Sequence, residues 1–248
     1  MDDWSREFYK PGGGSPFLFY VLFGNFAEEM TALSRSEYKT GGPPQGIEIM
    51  KYKRSEQGEV FDGFCQGYLW ETLEKDSPEL AKKVVESDQC IILRGNLEDE
   101  ESLNYFRDII GLITYLMDNG GDCLYDPFMF KWWSEDKWKE KVFARDDNNP
   151  FLHTTILFSQ EDDGLWYHTR GMIKFGRPDL SIHGVSDDLV EAATEVIKRF
   201  IEFQSQGGVI KEGAEIQVKG FPEGYRCFHR GTPEDPDFNN VHVEIERG

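Results

Sequence analysis

The feature that most constrains this chain is an apolar stripe at helical spacing, Leu103, Phe106, Ile109, Ile110, Ile113, Leu116 and Met117, closed by Asn119-Gly120-Gly121. Residues three and four apart share one face of an α-helix, so a stripe this long must be buried against another layer. Asn104, Arg107, Asp108 and Thr114 fall largely off it. Glycine accepts the left-handed conformation that ends a helix, which places the stop at Gly120-Gly121 and a strand near Asp122. A second stripe, Leu189, Ala193, Val196, Ile197, Phe200 and Gln204, opens at Ser186-Asp187-Asp188 and closes at Gly207-Gly208, with extended chain resuming at Val209-Ile210.

Between these helices lie segments of strand character. Phe17 to Phe23 is an unbroken apolar run, Cys90-Ile91-Ile92-Leu93 is the centre of a short buried strand over Gln89 to Arg94, and Leu152 to Phe158 and Trp166 to Met172 read as two more. Ser77-Pro78-Glu79 reads as an N-cap, a proline at the first helical position and an acid near the positive helix end, opening a helix through about Ser87. Ser134 is expected to cap a short helix containing Trp138. Alternating strands and helices predict an α+β fold, a mixed sheet covered by helices, with two strand-helix-strand units packed into one body. Internal duplication and two unrelated helix-to-strand connections both account for the repeated plan. The expected organisation is an N-terminal addition with loops over 1–57, a first unit over 58–150 and a second over 151–248. Within the addition, Pro11-Gly12-Gly13-Gly14-Ser15-Pro16 reads as a flexible lead-in, since a phosphate cradle needs a helix N-terminus directly after it and here a strand follows.

The 46 acidic residues outnumber the 27 basic ones, for a formal charge of -19, which repels polyanions and argues against nucleic acid as a partner. Solubility and recruitment of a cationic partner are both served by such acidity. Cys65, Cys90, Cys123 and Cys227 show no C-x-x-C pair and read as small buried residues rather than zinc ligands or a redox couple. The first apolar run follows the acidic pair Asp2 and Asp3 rather than a basic segment, and no stretch approaches the roughly 18 apolar residues of a membrane span. The expected location is therefore the cytoplasm, with no membrane partner.

Two places offer chemistry. If Trp166 to Met172 is a strand, its period of two sends Trp166, His168, Arg170 and Met172 to one face. Gly176 and Pro178 then allow Lys174, Arg177 and Asp179 to fold back toward it. His168, Arg170, Lys174, Arg177 and Asp179 thus form a candidate binding site for a small anionic ligand, because guanidinium is a planar fork and ammonium a point charge for carboxylate or phosphate. The competing reading has these cations in ion pairs that hold layers of the fold together. The second place is Val241-His242-Val243-Glu244-Ile245-Glu246, where alternation sends Val241, Val243 and Ile245 to the core and His242, Glu244 and Glu246 outward. His242 and Glu244 could share a divalent metal with Asp235, Asp237 or His229, but a solvated strand face is the preferred reading because no metal motif supports the site. The aromatic run Tyr125 to Trp133 suits either stacking on a ligand or packing. No nucleophile elbow, Walker loop or dinucleotide fingerprint is present, so no cofactor is expected.

Four passages, Ser102 to Asp108, Tyr125-Asp126-Pro127 leading to Trp132-Trp133, His168 to Ser181 and Asp235 to Glu244, together resemble an uncharacterised family of microbial proteins from about Gly58 to the C-terminus. The resemblance implies no activity, cofactor or catalytic residue. Two functions of different class remain: a binder of a small anionic ligand, and a non-enzymatic acidic interaction module that meets a basic partner.

Overall fold

Phe17–Gly24 forms a strand, β1, that lies in the middle of a sheet and is almost wholly buried, which explains an apolar run without alternation. The computed structural model describes residues 3–248, so Asp2 of the acidic pair lies outside the described residues. Strands β2 (Glu48–Lys53), β3 (Gln89–Asn96), β4 (Gly121–Asp126) and β5 (Lys131–Ser134) complete the sheet in the order β2-β3-β1-β4-β5. β1 runs antiparallel to β4, with Val21 opposite Tyr125. The expectation that residues 1–57 are an addition to the fold is therefore corrected: this segment supplies the central strand.

The described residues divide into two compact units, the first comprising Leu18–Leu97 and Ser102–Asn148 with residues 3–4. On one face of its sheet, α1 (Gly58–Asp62), α2 (Tyr68–Asp76) and α3 (Pro78–Glu86) contribute Phe61, Trp70, Leu73, Ala81 and Val84 to a core with Val21, Phe23, Cys90, Ile92, Cys123 and Tyr125. Pro78 starts α3 as expected, but the Ser77 side chain makes no capping bond. Leu18, Tyr20 and Leu22 point the other way, where α4 (Asn104–Asp118) and α5 (Glu135–Trp138) lie. The Tyr20 ring meets Trp138 edge-on at 6.5 Å, and the Trp138 indole donates to Thr114 Oγ1 at 3.1 Å. Thr114, off the apolar stripe, is thus buried with a partner. Ser134 caps α5 by accepting from the Lys137 amide. Tyr125 and Trp132 stack at 4.2 Å with Trp70 edge-on to Trp132, so the aromatic run is packing.

The second unit comprises Ser5–Phe17, Glu98–Glu101 and Asn149–Gly248. Strands β6 (Thr155–Glu161), β7 (Gly164–Arg170), β8 (Asp179–Val185), β9 (Tyr225–Arg230) and β10 (His242–Arg247) form a sheet in the order β6-β7-β8-β10-β9. β8 and β10 are parallel and the other neighbours antiparallel, so this sheet is mixed and the fold is α+β. Helix α6 (Val190–Ser205) covers one face with Ala193, Val196, Ile197 and Ile201.

Several expected boundaries move for local reasons. Pro150–Leu152 is a 3-10 turn capped by Asn149, which delays β6 to Thr155. β7 ends at Arg170 because Gly171 adopts φ 106° and starts a 3-10 turn over Met172–Phe175, so Met172 leaves the strand face. No strand follows Gly207-Gly208 directly; the next is β9 at Tyr225, which breaks the parallel with the Gly120-Gly121 to β4 connection. Val241 precedes β10 and is exposed, whereas Val243 and Ile245 face the core. All four cysteines are free, and burial pushes the Cys90 thiol up to about 12 and Cys227 to about 11. Among the described residues no helix is long and apolar enough to cross a membrane.

Candidate functional site

The five residues singled out from the sequence are drawn into the interior of the second unit. Arg170, Lys174, Arg177 and Asp179 are 1%, 0%, 2% and 0% exposed, and His168 is buried with them. They do not share one cleft. Asp179, at the start of β8, accepts from Thr169 Oγ1 at 2.8 Å, Asn240 Nδ2 at 2.9 Å and the Met172 amide at 3.2 Å. Burial still pushes its carboxyl up to about 6, against the opposing pull of those donors and of Arg170. Arg170 reaches the loop before β10, where Nη1 donates to the Asp237 carbonyl. Lys174 lies in the 3-10 turn that Gly171 initiates.

Arg177 leaves this group altogether. Its Nε donates to the Gly208 carbonyl at 3.0 Å and Nη2 to Gly207 at 2.9 Å, while Nη1 meets both Asp99 oxygens at 3.1 Å. Arg6 approaches Asp99 Oδ1 at 2.6 Å and gives Nη2 to the Phe175 carbonyl, making an arginine-carboxylate-arginine cluster in which both guanidinium groups are buried and the carboxylate is partly so. The sequence held no signal for it, because Arg6, Asp99 and Arg177 come from three separate stretches. The glycine cluster is part of the same assembly. Gly14 donates to the Gly176 carbonyl at 3.0 Å, and a Cβ on Gly13 would fall 1.7 Å from Arg177 Nη1. The lead-in is therefore packed, and glycine is needed there for close approach.

The opposite face of the sheet from α6 carries a different group. Trp166 and His168, two apart on β7, stack at 4.0 Å, and His183 on β8 lies parallel to the Trp166 ring at 5.0 Å and 5°. Phe238, in the loop before β10, stands edge-on to His168 at 5.6 Å and stacks on His242 at 4.2 Å. Sequence reading missed His183 and Phe238; strand alternation across β8 is the signal that identifies His183.

Carboxylates alternate with the imidazoles along this row. Glu161 on the edge strand β6 holds His183 Nδ1 at 2.9 Å, and Glu244 Oε2 lies 3.8 Å from His183 Nε2 and 4.0 Å from His242 Nε2. Asp235 sits 3.9 Å from His242 Nδ1. The Trp166 indole donates to Ser181 Oγ at 2.9 Å, and Ser181 in turn hydrogen-bonds Glu244. Burial lowers the His168 pKa to about 4, aided by Arg170, and burial lowers His242 as well. Burial also raises the Glu244 carboxyl. The neutral imidazole is thus favoured at positions 168 and 242 near neutral pH.

His183, His242, Glu244, Glu246, Arg230 and Tyr225 line an open cleft of about 420 Å³ at this face. As expected from alternation, His242 and Glu244 share a side, but His229 pairs across from Val243 on the other side and contacts the Ile210 carbonyl. Among the described residues no group of three or more His, Cys, Asp or Glu side chains is arranged to hold a metal ion. Comparison with protein-family models, with curated proteins and with solved structures finds no match to this chain. The chemistry of the site rests on its own geometry.

Proposed function

We propose that this chain is a non-enzymatic, acidic interaction module that engages a basic partner. The observation that carries the reading is the withdrawal of Arg170, Lys174 and Arg177 from the surface, in a chain of formal charge -19. Three cations that would otherwise offset the acidic surface or capture an anion are instead surrounded by protein. What faces solvent is correspondingly richer in carboxylate, which favours encounter with cationic surfaces and repels anionic ones.

The test is a calorimetric titration with an arginine-rich peptide and with its glutamate-rich counterpart at low and high salt. The arginine-rich peptide is expected to bind with an affinity that falls as salt is raised, and the glutamate-rich peptide not to bind. Absence of binding by the basic peptide at low salt would overturn the reading.

A second reading, a site for a small anionic ligand, is favoured by Arg230 and Arg247, which line the cleft with two histidines. It is the weaker of the two, since Arg230 is already paired with Glu246 at 2.9 Å. Stabilisation of the fold by inorganic phosphate, with no response to the basic peptide, would bring it forward.

A further inference from the structure

From the same face we infer that the outer side of the His183 ring, between Glu161 and Glu244, receives the guanidinium of an arginine side chain on the partner. The inference rests on the interaction reading and gives it an address.

His183 is backed by Trp166 in a parallel stack, yet its side chain remains 48% exposed, so a flat ring surface is presented to solvent. The two ends of that ring are both flanked by carboxylate, Glu161 at Nδ1 and Glu244 at Nε2. These side chains come from β6, β8 and β10, so the sheet fixes their spacing rather than a loop. A guanidinium suits this arrangement for two reasons. It is planar and weakly hydrated, so it stacks on aromatic faces, and its edges carry N–H groups that match carboxylate oxygens. An ammonium offers a point charge without the flat surface. The chain already holds one of its own arginines in this manner in the same cleft: the Arg230 guanidinium lies 5.1 Å over the Phe228 ring while pairing with Glu246.

The charge balance around the ring favours a cation. Facing His183 are Glu161 from β6, Glu244 from β10, the Trp166 ring from β7 and the neutral imidazoles of His168 and His242, while the cations of the cleft are Arg230, which pairs with Glu246, and Arg247 at the end of β10. An anion placed on His183 would meet carboxylate on both sides.

The experiment follows the His183 imidazole signals by NMR while an arginine-containing peptide, or the same peptide with citrulline in place of arginine, is added to the full chain. Citrulline keeps the shape and removes the charge. The arginine peptide is expected to shift His183 and the citrulline peptide to leave it unmoved, with affinity falling about tenfold in Glu161→Gln and in Glu244→Gln. If the arginine peptide binds without moving His183, or binds both variants as tightly as the unaltered chain, the address is wrong and the interaction reading stands. If it does not bind at all, both fall. Because the citrulline comparison uses the unaltered protein, the outcome does not depend on either variant folding.

Discussion

Arg177 Nη1 donates to both carboxylate oxygens of Asp99 at 3.1 Å, joining two residues 78 positions apart inside the second unit. Arg6 completes the cluster from the other side of the same carboxylate. Removing the carboxylate leaves two buried guanidinium groups without their shared counter-charge. Asp99→Ala is expected to destabilise the second unit by about 3–5 kcal/mol, read as a lower midpoint of urea unfolding at unchanged slope.

Gly13 provides a matched pair of substitutions. A Cβ there falls 1.7 Å from Arg177 Nη1 and 2.7 Å from Asp99 Oδ2, whereas one on Gly14 meets nothing closer than 3.6 Å. The Arg177 side chain is pinned by Gly207, Gly208 and Asp99 and cannot swing away without losing those bonds. Gly13→Ala is therefore expected to cost about 1–3 kcal/mol and Gly14→Ala much less, as compared by thermal unfolding of the two variants.

Two buried groups give stability opposite pH dependences. The folded-state pKa of His168 lies at about 4, below the ordinary 6.5, so its contribution is present above 6.5 and is lost as pH falls through 4. Asp179 is shifted the other way, to about 6 from 3.8, so its ionised form opposes folding and stability is regained as pH falls through 6. His168→Phe should flatten the loss of stability between pH 6.5 and 4, and Asp179→Asn should steepen the net fall over the range in which the two now offset one another. Urea midpoints measured across that range test both slopes.

Much of this architecture was legible where the local chemistry was self-sufficient. The stripe from Leu103 to Met117 is α4, and the run from Phe17 is β1, because each pattern admits one way of being buried. The position of β1 at the centre of a sheet was not legible, since its partners β3 and β4 lie more than sixty residues away and pairing leaves no local mark. The strand β8 was missed for a related reason: its buried residues include Asp179 and Ser181, polar groups whose burial depends on Thr169, Asn240 and Trp166. The face shared by Trp166, His168 and Arg170 followed from strand periodicity, but the burial of His168 and Arg170 did not, because it depends on the loop that brings Phe238 and Asp237 over them.

The central claim is that the cations of the His168 to Asp179 segment serve the fold, and Arg170→Ala tests it most directly. Arg170 lies inside the second unit, donates to the Asp237 carbonyl and offsets the buried Asp179 charge. Urea unfolding of this variant is predicted to show a loss of about 3–5 kcal/mol. A variant as stable as the unaltered chain that has lost stabilisation by inorganic phosphate would contradict the account and make the segment an anion site.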